Sequence, residues 1–343
     1  MRTFLLHSLA VAAVLAPLAP SSAGTLSLDE MKLLYVRPSS IPYPADNPYS
    51  APKAKLGEML FFDPRLSGAN YISCASCHNP SFSWSDGLPR GIGHGMTVLG
   101  RRTPTIFNLA WADLLMWDGR KDSLEDQVVG PMSAPVEMNQ DLGQLPTKLG
   151  AIAGYREAFD KTFPGEGLTV QNVAKAIATY ERTVVSGTAP FDRWIAGNEH
   201  AISAAAKRGF VLFNTKANCV ACHTGWNFTD SSFRDIGLPD ADRGRAAIVD
   251  LPSMEHAFKT PTLRDADRRA PYMHDGSVKT LMAVVEHYDK GGVQRPSLSD
   301  EIKPLHLTAQ EKSDLVEFMQ TLDGDNPRVE MPILFAGPQT AQR

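Results

Sequence analysis

Two short segments carry the same arrangement, a cysteine pair followed directly by a histidine: Cys74-Ala75-Ser76-Cys77-His78 and Cys219-Val220-Ala221-Cys222-His223. This spacing lets both thiols of a segment add to the two vinyl groups of one haem, while the histidine becomes the proximal iron ligand. All four cysteines of the chain are used in this way, which disfavours a redox or zinc CxxC site. We therefore expect two covalently bound haem c groups.

The N-terminal residues predict export. Arg2 precedes an apolar run from Phe4 to Ala19, and small residues follow it up to Ala23. The run is too short for a membrane span, so we expect a cleaved signal peptide over residues 1–23 and a periplasmic mature chain without a membrane span. Removal of Arg2 takes the net charge from −4 to −5. This modest negative charge, without a basic stripe, indicates no nucleic-acid partner.

The elements that must position these groups are predicted from an internal repeat. The segments that begin at Thr103 and Thr260 align without a gap, Met116 with Met273 among the matches. Apolar residues between positions 170 and 184, and again between 315 and 322, keep helical spacing. We predict a mainly α fold with two cytochrome c-type haem domains related by internal duplication. Residues 24–187 form the N-terminal haem domain of this prediction, and residues 188–343 form the C-terminal haem domain.

The second axial position of each iron decides between electron transfer and peroxide chemistry. Tyr288 shares a helical face with the apolar residues Leu281 and Val285, whereas His287 lies about 100° away. Tyr288 is therefore predicted to face the second haem, with His287 as the alternative. The repeat aligns Pro131 of the first half with Tyr288 of the second half. Since proline has no ligand atom, we expect room above the first iron.

Three polar residues of the first half are candidates for its distal side. Gln127 and Glu137 follow the segment that contains Trp117. A carboxylate there could move a proton between peroxide oxygens, and an amide could hold a bound oxygen. His94 lies among glycines that would let a loop carry it on and off the iron, although a loop histidine bonded to backbone is an equal alternative.

The order of these motifs resembles the bacterial diheme cytochrome c peroxidase family, which includes MauG. The resemblance covers nearly the whole mature chain and is carried by stretches such as "LGEMLFFDPRLSGANYISCASCHNP", "TPTIFNLAW", "MWDGR", "GPMSAPVEMN", "VAKAIATYERT" and "PYMHDGSVKTL". It implies an H2O2-dependent oxidoreductase with a peroxidatic first haem and an electron-transfer second haem. A pure electron carrier is the rival interpretation, and Pro131 argues against it.

The resemblance also implies roles for individual residues. Gln127 and Glu137 would lie in the distal pocket, and Trp117 would relay electrons between the haems, although a core aromatic packed at a haem edge is also compatible with this position. His94 matches the residue that caps the resting peroxidatic iron in many peroxidases. Tyr288 matches the methionine ligand of typical peroxidases and the tyrosine ligand of MauG-like members. The electron source would be a small cytochrome c or copper protein, or residues of a protein substrate, and a homodimer is compatible with the family.

Two positions depart from the family pattern. An interdomain calcium ion in the family uses an asparagine where this chain has Arg102, together with backbone carbonyls that match Arg269 and Pro271. A guanidinium cannot ligate Ca²⁺, so calcium is not expected and Arg102 would supply the positive charge instead. Ala217 stands where MauG has the surface tryptophan through which it oxidises its protein substrate, which argues against the same protein substrate.

Overall fold

A computed structural model describes residues 26–337, so the predicted signal peptide lies outside the described residues. Helices dominate this part of the chain: α1 (Leu28–Leu33), α2 (Ala51–Phe62), α3 (Cys74–Cys77), α4 (Leu124–Ser133), α5 (Leu145–Gly150), α6 (Ala153–Thr162), α7 (Val170–Thr183), α8 (Pro190–Ile195), α9 (Ala204–Asn214), α10 (Ala246–Val249), α11 (Leu281–Lys290) and α12 (Ala309–Gln320). Strands β1 (Phe233–Arg234) and β2 (Phe258–Lys259) pair antiparallel. The prediction of a mainly α fold is confirmed. No helix within residues 26–337 is long and apolar enough to cross a membrane.

The apolar side chains form two large cores, one in each half of the chain. The first gathers side chains from α2, α4, α6 and α7, and the second gathers those from α8, α9, α11 and α12. The two ends of the chain are exchanged between the cores. Tyr35, near the N-terminus, is buried in the second core, whereas Phe335 packs on the first with its ring centroid 5.0 Å from that of Tyr155. The domain boundary near residue 187 stays a prediction, and the division of the cores supports it.

Each half contains a helix crossing that requires a glycine. In the first half α2 crosses α7, and a Cβ atom at Gly57 would lie 1.9 Å from the carbonyl oxygen of Ala176. In the second half α9 crosses α12, and a Cβ at Gly209 would lie 2.0 Å from the carbonyl oxygen of Asp314. Contacts this short exclude any side chain. In both halves the glycine helix leads into the cysteine pair, so the same crossing positions each haem attachment segment.

The repeat keeps its register through the helices that follow. Helix α4 begins after the N-cap Ser123, and α11 begins after the N-cap Thr280, at the matching position. The unusual positive φ angles coincide as well, in the pairs Asn108 and Asp265, Met116 and Met273, and Gly119 and Gly276. Pro131 and Tyr288 therefore occupy equivalent positions on equivalent helices.

Candidate active site

The first attachment segment forms one helical turn. Ser73 caps α3, where its backbone nitrogen donates to the Ser76 hydroxyl over 2.9 Å, and His78 follows as the C-cap. The His78 Nδ1 atom lies 3.3 Å from the carbonyl oxygen of Trp84. A bond from Nδ1 to a carbonyl fixes the ring and leaves Nε2 for a metal. Burial lowers the pKa of His78, which favours the neutral ring that an iron ligand requires.

The second attachment segment has the same local design. His223 follows Cys219 and Cys222, and its Nδ1 atom lies 2.9 Å from the carbonyl oxygen of Phe228. Burial lowers the pKa of His223 as well. None of the four cysteines is part of a disulfide, and all four are partly exposed. Each half thus presents two thiols and one oriented imidazole, which is the donor set that haem c requires.

A cavity of about 640 Å³ extends from the first attachment segment toward the second half. Its wall includes Cys74, Cys77 and His78 from the first half, and Thr262 and Tyr272 from the second. The volume falls within the range of cofactor pockets, roughly 300–1,000 Å³. The residues present therefore fit a haem group in the first half, with part of its surroundings supplied by the second.

The predicted distal residues of the first half come together at this cavity. Gln127, Pro131 and Glu137 all line this cavity, which His78 also lines. The Gln127 amide nitrogen lies 3.6 Å from the Met116 sulfur. Burial raises the pKa of Glu137, and the positive charge of Arg120 opposes this effect. A carboxyl group whose pKa is raised toward the working pH is better suited to accept and return a proton than an ordinary one.

His94 lies outside the cavity wall. Its ring stacks on that of Tyr71, with the centroids 6.0 Å apart, and Nδ1 lies 3.4 Å from the Tyr71 hydroxyl. The same hydroxyl accepts a hydrogen bond from the Gly95 nitrogen at 2.6 Å. The backbone of His94 nevertheless touches the distal segment, because its nitrogen donates to the carbonyl oxygen of Glu137 over 2.8 Å. The structure therefore places His94 beside the distal segment but does not bring its imidazole into the site.

Trp117 lies at the junction of the two halves and lines the cavity. Its indole nitrogen donates to the carbonyl oxygen of Arg102 at 2.8 Å, and its own carbonyl oxygen accepts from the Lys259 nitrogen at 2.8 Å. Its ring also meets that of His274 edge-on, with the centroids 6.4 Å apart. The indole is thus fixed by residues of both halves.

Tyr288 and His287 are neighbours on α11, but their side chains have different contacts. His287 Nε2 lies 2.8 Å from the carbonyl oxygen of Ile236, so this ring nitrogen is engaged with backbone. Burial raises the pKa of Tyr288 well above its ordinary value. Its side chain lies close to Cys219 and Cys222 of the second attachment segment.

Two titratable residues of the cavity wall were not anticipated from the sequence. Glu181 is buried on α7, its Oε2 atom has no hydrogen-bond partner within residues 26–337, and burial raises its pKa to about 8. Lys259 lines the same cavity, and burial lowers its pKa to about 8. Glu181 had a signal in the sequence, because it interrupts the apolar face that Ile177, Tyr180 and Val184 form. Lys259 had no comparable signal.

The fold and the two attachment segments define a class, the c-type cytochromes that carry two haem groups on duplicated helical domains. Two family models match the chain, one described as di-haem cytochrome c peroxidase over residues 51–200 and one described as cytochrome c over residues 206–323. The chain belongs to the di-haem cytochrome c peroxidase family, whose members include MauG. It is accordingly an oxidoreductase with two covalently bound haem c groups, and peroxide is the substrate that the family implies.

Individual relatives span both branches of this family. A methylamine utilization protein MauG from Methylorubrum extorquens is 49% identical over 320 residues, which cover 92% of this chain and 91% of the relative. A cytochrome c551 peroxidase from Pseudomonas aeruginosa is 34% identical over 307 residues, 86% of each chain. Among solved structures, a MauG-like protein associated with microbial copper homeostasis matches with a TM-score of 0.79 and 31% identity, over 85% of this chain and 94% of that one.

Proposed function

We propose that the first half of this periplasmic enzyme reacts with H2O2 and that the second half exchanges electrons. The observation that carries the proposal is the asymmetry of two equivalent helices, which hold Pro131 in the first half and Tyr288 in the second. A vacant axial position suits peroxide chemistry, whereas two strong ligands suit electron transfer. The proline also lines the cavity that contains the other distal candidates.

The haem groups supply the redox chemistry of iron, and the distal side chains direct the protons of the peroxide. Glu137 takes the proton of one peroxide oxygen and delivers it to the other, which then leaves as water. Gln127 holds the peroxide by a hydrogen bond from its amide. Both side chains line the cavity that reaches the proximal His78, which supports this assignment.

Rapid mixing of the ferric holoprotein with H2O2 tests the distal assignment. Glu137→Gln preserves the shape of the side chain but removes the proton carrier, so the peroxide reaction should slow by about 10²–10⁴-fold with unchanged haem content. Glu330→Gln serves as the control, because Glu330 lines a different cavity. An undiminished rate in Glu137→Gln contradicts the proposed role.

We propose that Tyr288 is the distal ligand of the second iron. Its location near Cys219 and Cys222 and the engagement of the His287 nitrogen with Ile236 support the assignment. The phenolate is a hard anionic donor and favours Fe(III) over Fe(II). Electron paramagnetic resonance of the ferric protein should show one haem with a phenolate-type axial field, which Tyr288→Phe abolishes and His287→Gln preserves. The opposite pattern would return the ligand to His287.

We propose that the first iron reacts with peroxide without prior reduction of the second haem. The position of the His94 ring against Tyr71, outside the cavity, supports this. The fully ferric and half-reduced proteins should therefore react with H2O2 at similar rates. A requirement for half-reduction, lost in His94→Ala, would instead show that His94 ligates the resting first iron.

Two sources of electrons remain to be distinguished, and a specific observation favours each. The peroxidase relatives favour a small cytochrome c or copper protein, which gives peroxide detoxification. Tyr288 and the 49% identity with MauG favour oxidation of residues on a partner protein, because a phenolate makes the second haem a poor acceptor from donors of high potential. Steady-state oxidation of reduced cytochrome c by H2O2 decides between them. Sedimentation of the holoprotein tests the homodimer.

A further inference from the structure

The interdomain position at which the family resemblance implies calcium is filled here by a guanidinium group. The Nη2 atom of Arg102 donates a hydrogen bond to the carbonyl oxygen of Arg269, one of the oxygens that would face the metal. Ca²⁺ requires six to eight oxygen ligands, and a cationic donor directed at one of them repels it. The residues present therefore do not fit a calcium ion.

Arg102 is buried, with 5% of its surface exposed, and within residues 26–337 it has no carboxylate partner. Asp86 is the acidic residue whose charge raises the pKa of Arg102. Its carboxylate already accepts hydrogen bonds from the Thr103 hydroxyl at 2.6 Å and from the Leu88 nitrogen at 2.9 Å. The Nε atom of Arg102 has no hydrogen-bond partner within residues 26–337. Burial lowers the pKa of Arg102 to about 10, which leaves the group charged at neutral pH.

Two further cations, Lys259 and Arg269, line the same cavity as Arg102. Arg269 is buried, and its guanidinium donates only to backbone carbonyl oxygens, among them those of Thr262 and Arg264 at 2.9 and 2.7 Å. Lys259 is partly exposed, and within residues 26–337 its ammonium group forms no ion pair. A buried charge without an anionic partner is costly, so the position of Arg102, with two further cations near it, favours an anionic group beside it. Haem carries two propionate carboxylates, and the cavity that these cations line fits a haem.

The backbone of Arg102 forms hydrogen bonds with residues of both halves. Its carbonyl oxygen accepts from the Trp117 indole at 2.8 Å, and its nitrogen donates to the carbonyl oxygen of His274 at 2.7 Å. A charge fixed at this position is thus held between the first half, the junction tryptophan and the second half.

We propose that Arg102 replaces an interdomain metal ion and that, together with Lys259, it binds haem carboxylates that face the cavity. The two halves are then linked by a cation that belongs to the chain and cannot be removed by chelation. The proposal requires bound haem but is independent of which electron source the enzyme uses.

The holoprotein should contain no stoichiometric calcium by elemental analysis. Its thermal midpoint, its paramagnetic resonance spectrum and the reduction potentials of its two haems should be the same in EDTA and in CaCl2. Arg102→Asn supplies an amide oxygen beside the carbonyl of Arg269, so this variant should gain one equivalent of calcium, with a Kd of about 10⁻⁴–10⁻³ M as in extracellular modules. EDTA should then lower the thermal midpoint of this variant and change its paramagnetic resonance spectrum and the reduction potentials of its haems. Arg90→Asn, at an exposed arginine nearby, should gain no calcium.

Two further variants keep the test decisive if Arg102→Asn does not load haem. Arg102→Lys retains a positive charge and should remain indifferent to EDTA and calcium, whereas a response to either overturns the proposal. Lys259→Gln removes a cation beside the carboxylates and should lower the reduction potential of at least one haem, because the oxidised iron is then repelled less. Unchanged potentials contradict the role of Lys259. One calcium per wild-type chain, with spectra that EDTA alters, overturns the role of Arg102.

Discussion

The carboxyl group of Glu181 should make the stability of the folded protein fall as the pH rises. Its side chain is 4% exposed, and its pKa rises from an ordinary 4.5 to about 8, with burial as the main cause. Arg182 offsets little of this effect, because its guanidinium is already held by both carboxylate oxygens of Glu125, at 2.6 and 2.9 Å. Glu181 is therefore protonated in the folded protein over a pH range in which it is ionised in the unfolded chain.

The size of the effect follows from the two pKa values. Each pKa unit corresponds to 1.36 kcal/mol, so the rise from 4.5 to about 8 gives a limit of about 5 kcal/mol. Because a buried site relaxes when it ionises, we expect about 2 kcal/mol to be measured. The raised pKa fixes the sign: the stabilisation is fully present below pH 4.5 and is lost as the pH rises through about 8.

Denaturation of the ferric holoprotein by guanidinium chloride, followed by circular dichroism between pH 5 and 8.5, measures this term. Glu181→Gln is neutral at every pH, so its free energy of unfolding should exceed that of the wild type by about 2 kcal/mol at the alkaline end and by much less at pH 5. Glu166→Gln is the control, because Glu166 is exposed in the same half. Parallel profiles for Glu181→Gln and the wild type would refute the reasoning and show that Glu181 is ionised in the folded protein.

Three further predictions concern the repeat and its junction. Gly57→Ala and Gly209→Ala should each lower the free energy of unfolding by about 1–3 kcal/mol or more, because a Cβ collides with the facing backbone, whereas Gly150→Ala meets no atom within 4 Å and should be nearly neutral in chemical denaturation. Pro131→Met gives the first half a thioether where the second has its proposed ligand, so peroxide should react more slowly than with Pro131→Ala in rapid mixing. Trp117→Phe should leave both haem spectra intact and slow electron exchange between the haems after photoreduction, and an unchanged rate would contradict the relay.

The sequence specified the parts of the site that depend on local spacing. The cysteine pairs, the histidines that follow them and the gapless repeat were sufficient to predict two haem c groups and a mainly α fold. The same register predicted that Pro131 and Tyr288 are equivalent, and the matching N-caps of α4 and α11 confirm it. From the sequence His287 was disfavoured only on helical phase, and its contact with the carbonyl oxygen of Ile236 adds a second argument for Tyr288.

The remainder depends on contacts between residues distant in the chain. Nothing in the local sequence places the Lys259 side chain at the cavity wall, because that position follows from the pairing of β1 with β2 and from the contact of its backbone with Trp117. The location of His94 likewise follows from the Tyr71 ring, which precedes it by more than twenty residues and holds it by stacking. Side chains that act through long-range packing of this kind carry no periodic signal.

The exchange of the chain ends between the two cores has a consequence for how the molecule is completed. Tyr35 belongs to the second core, and the segment with Val329 and Phe335 belongs to the first. The first core therefore takes part of its packing from residues that follow the second half, and the Arg65 guanidinium donates to the carbonyl oxygen of Phe335 over 3.0 Å. The first core is thus completed by residues that follow the second half in the chain, so a fragment that ends near residue 187 would lack part of the packing of the first core.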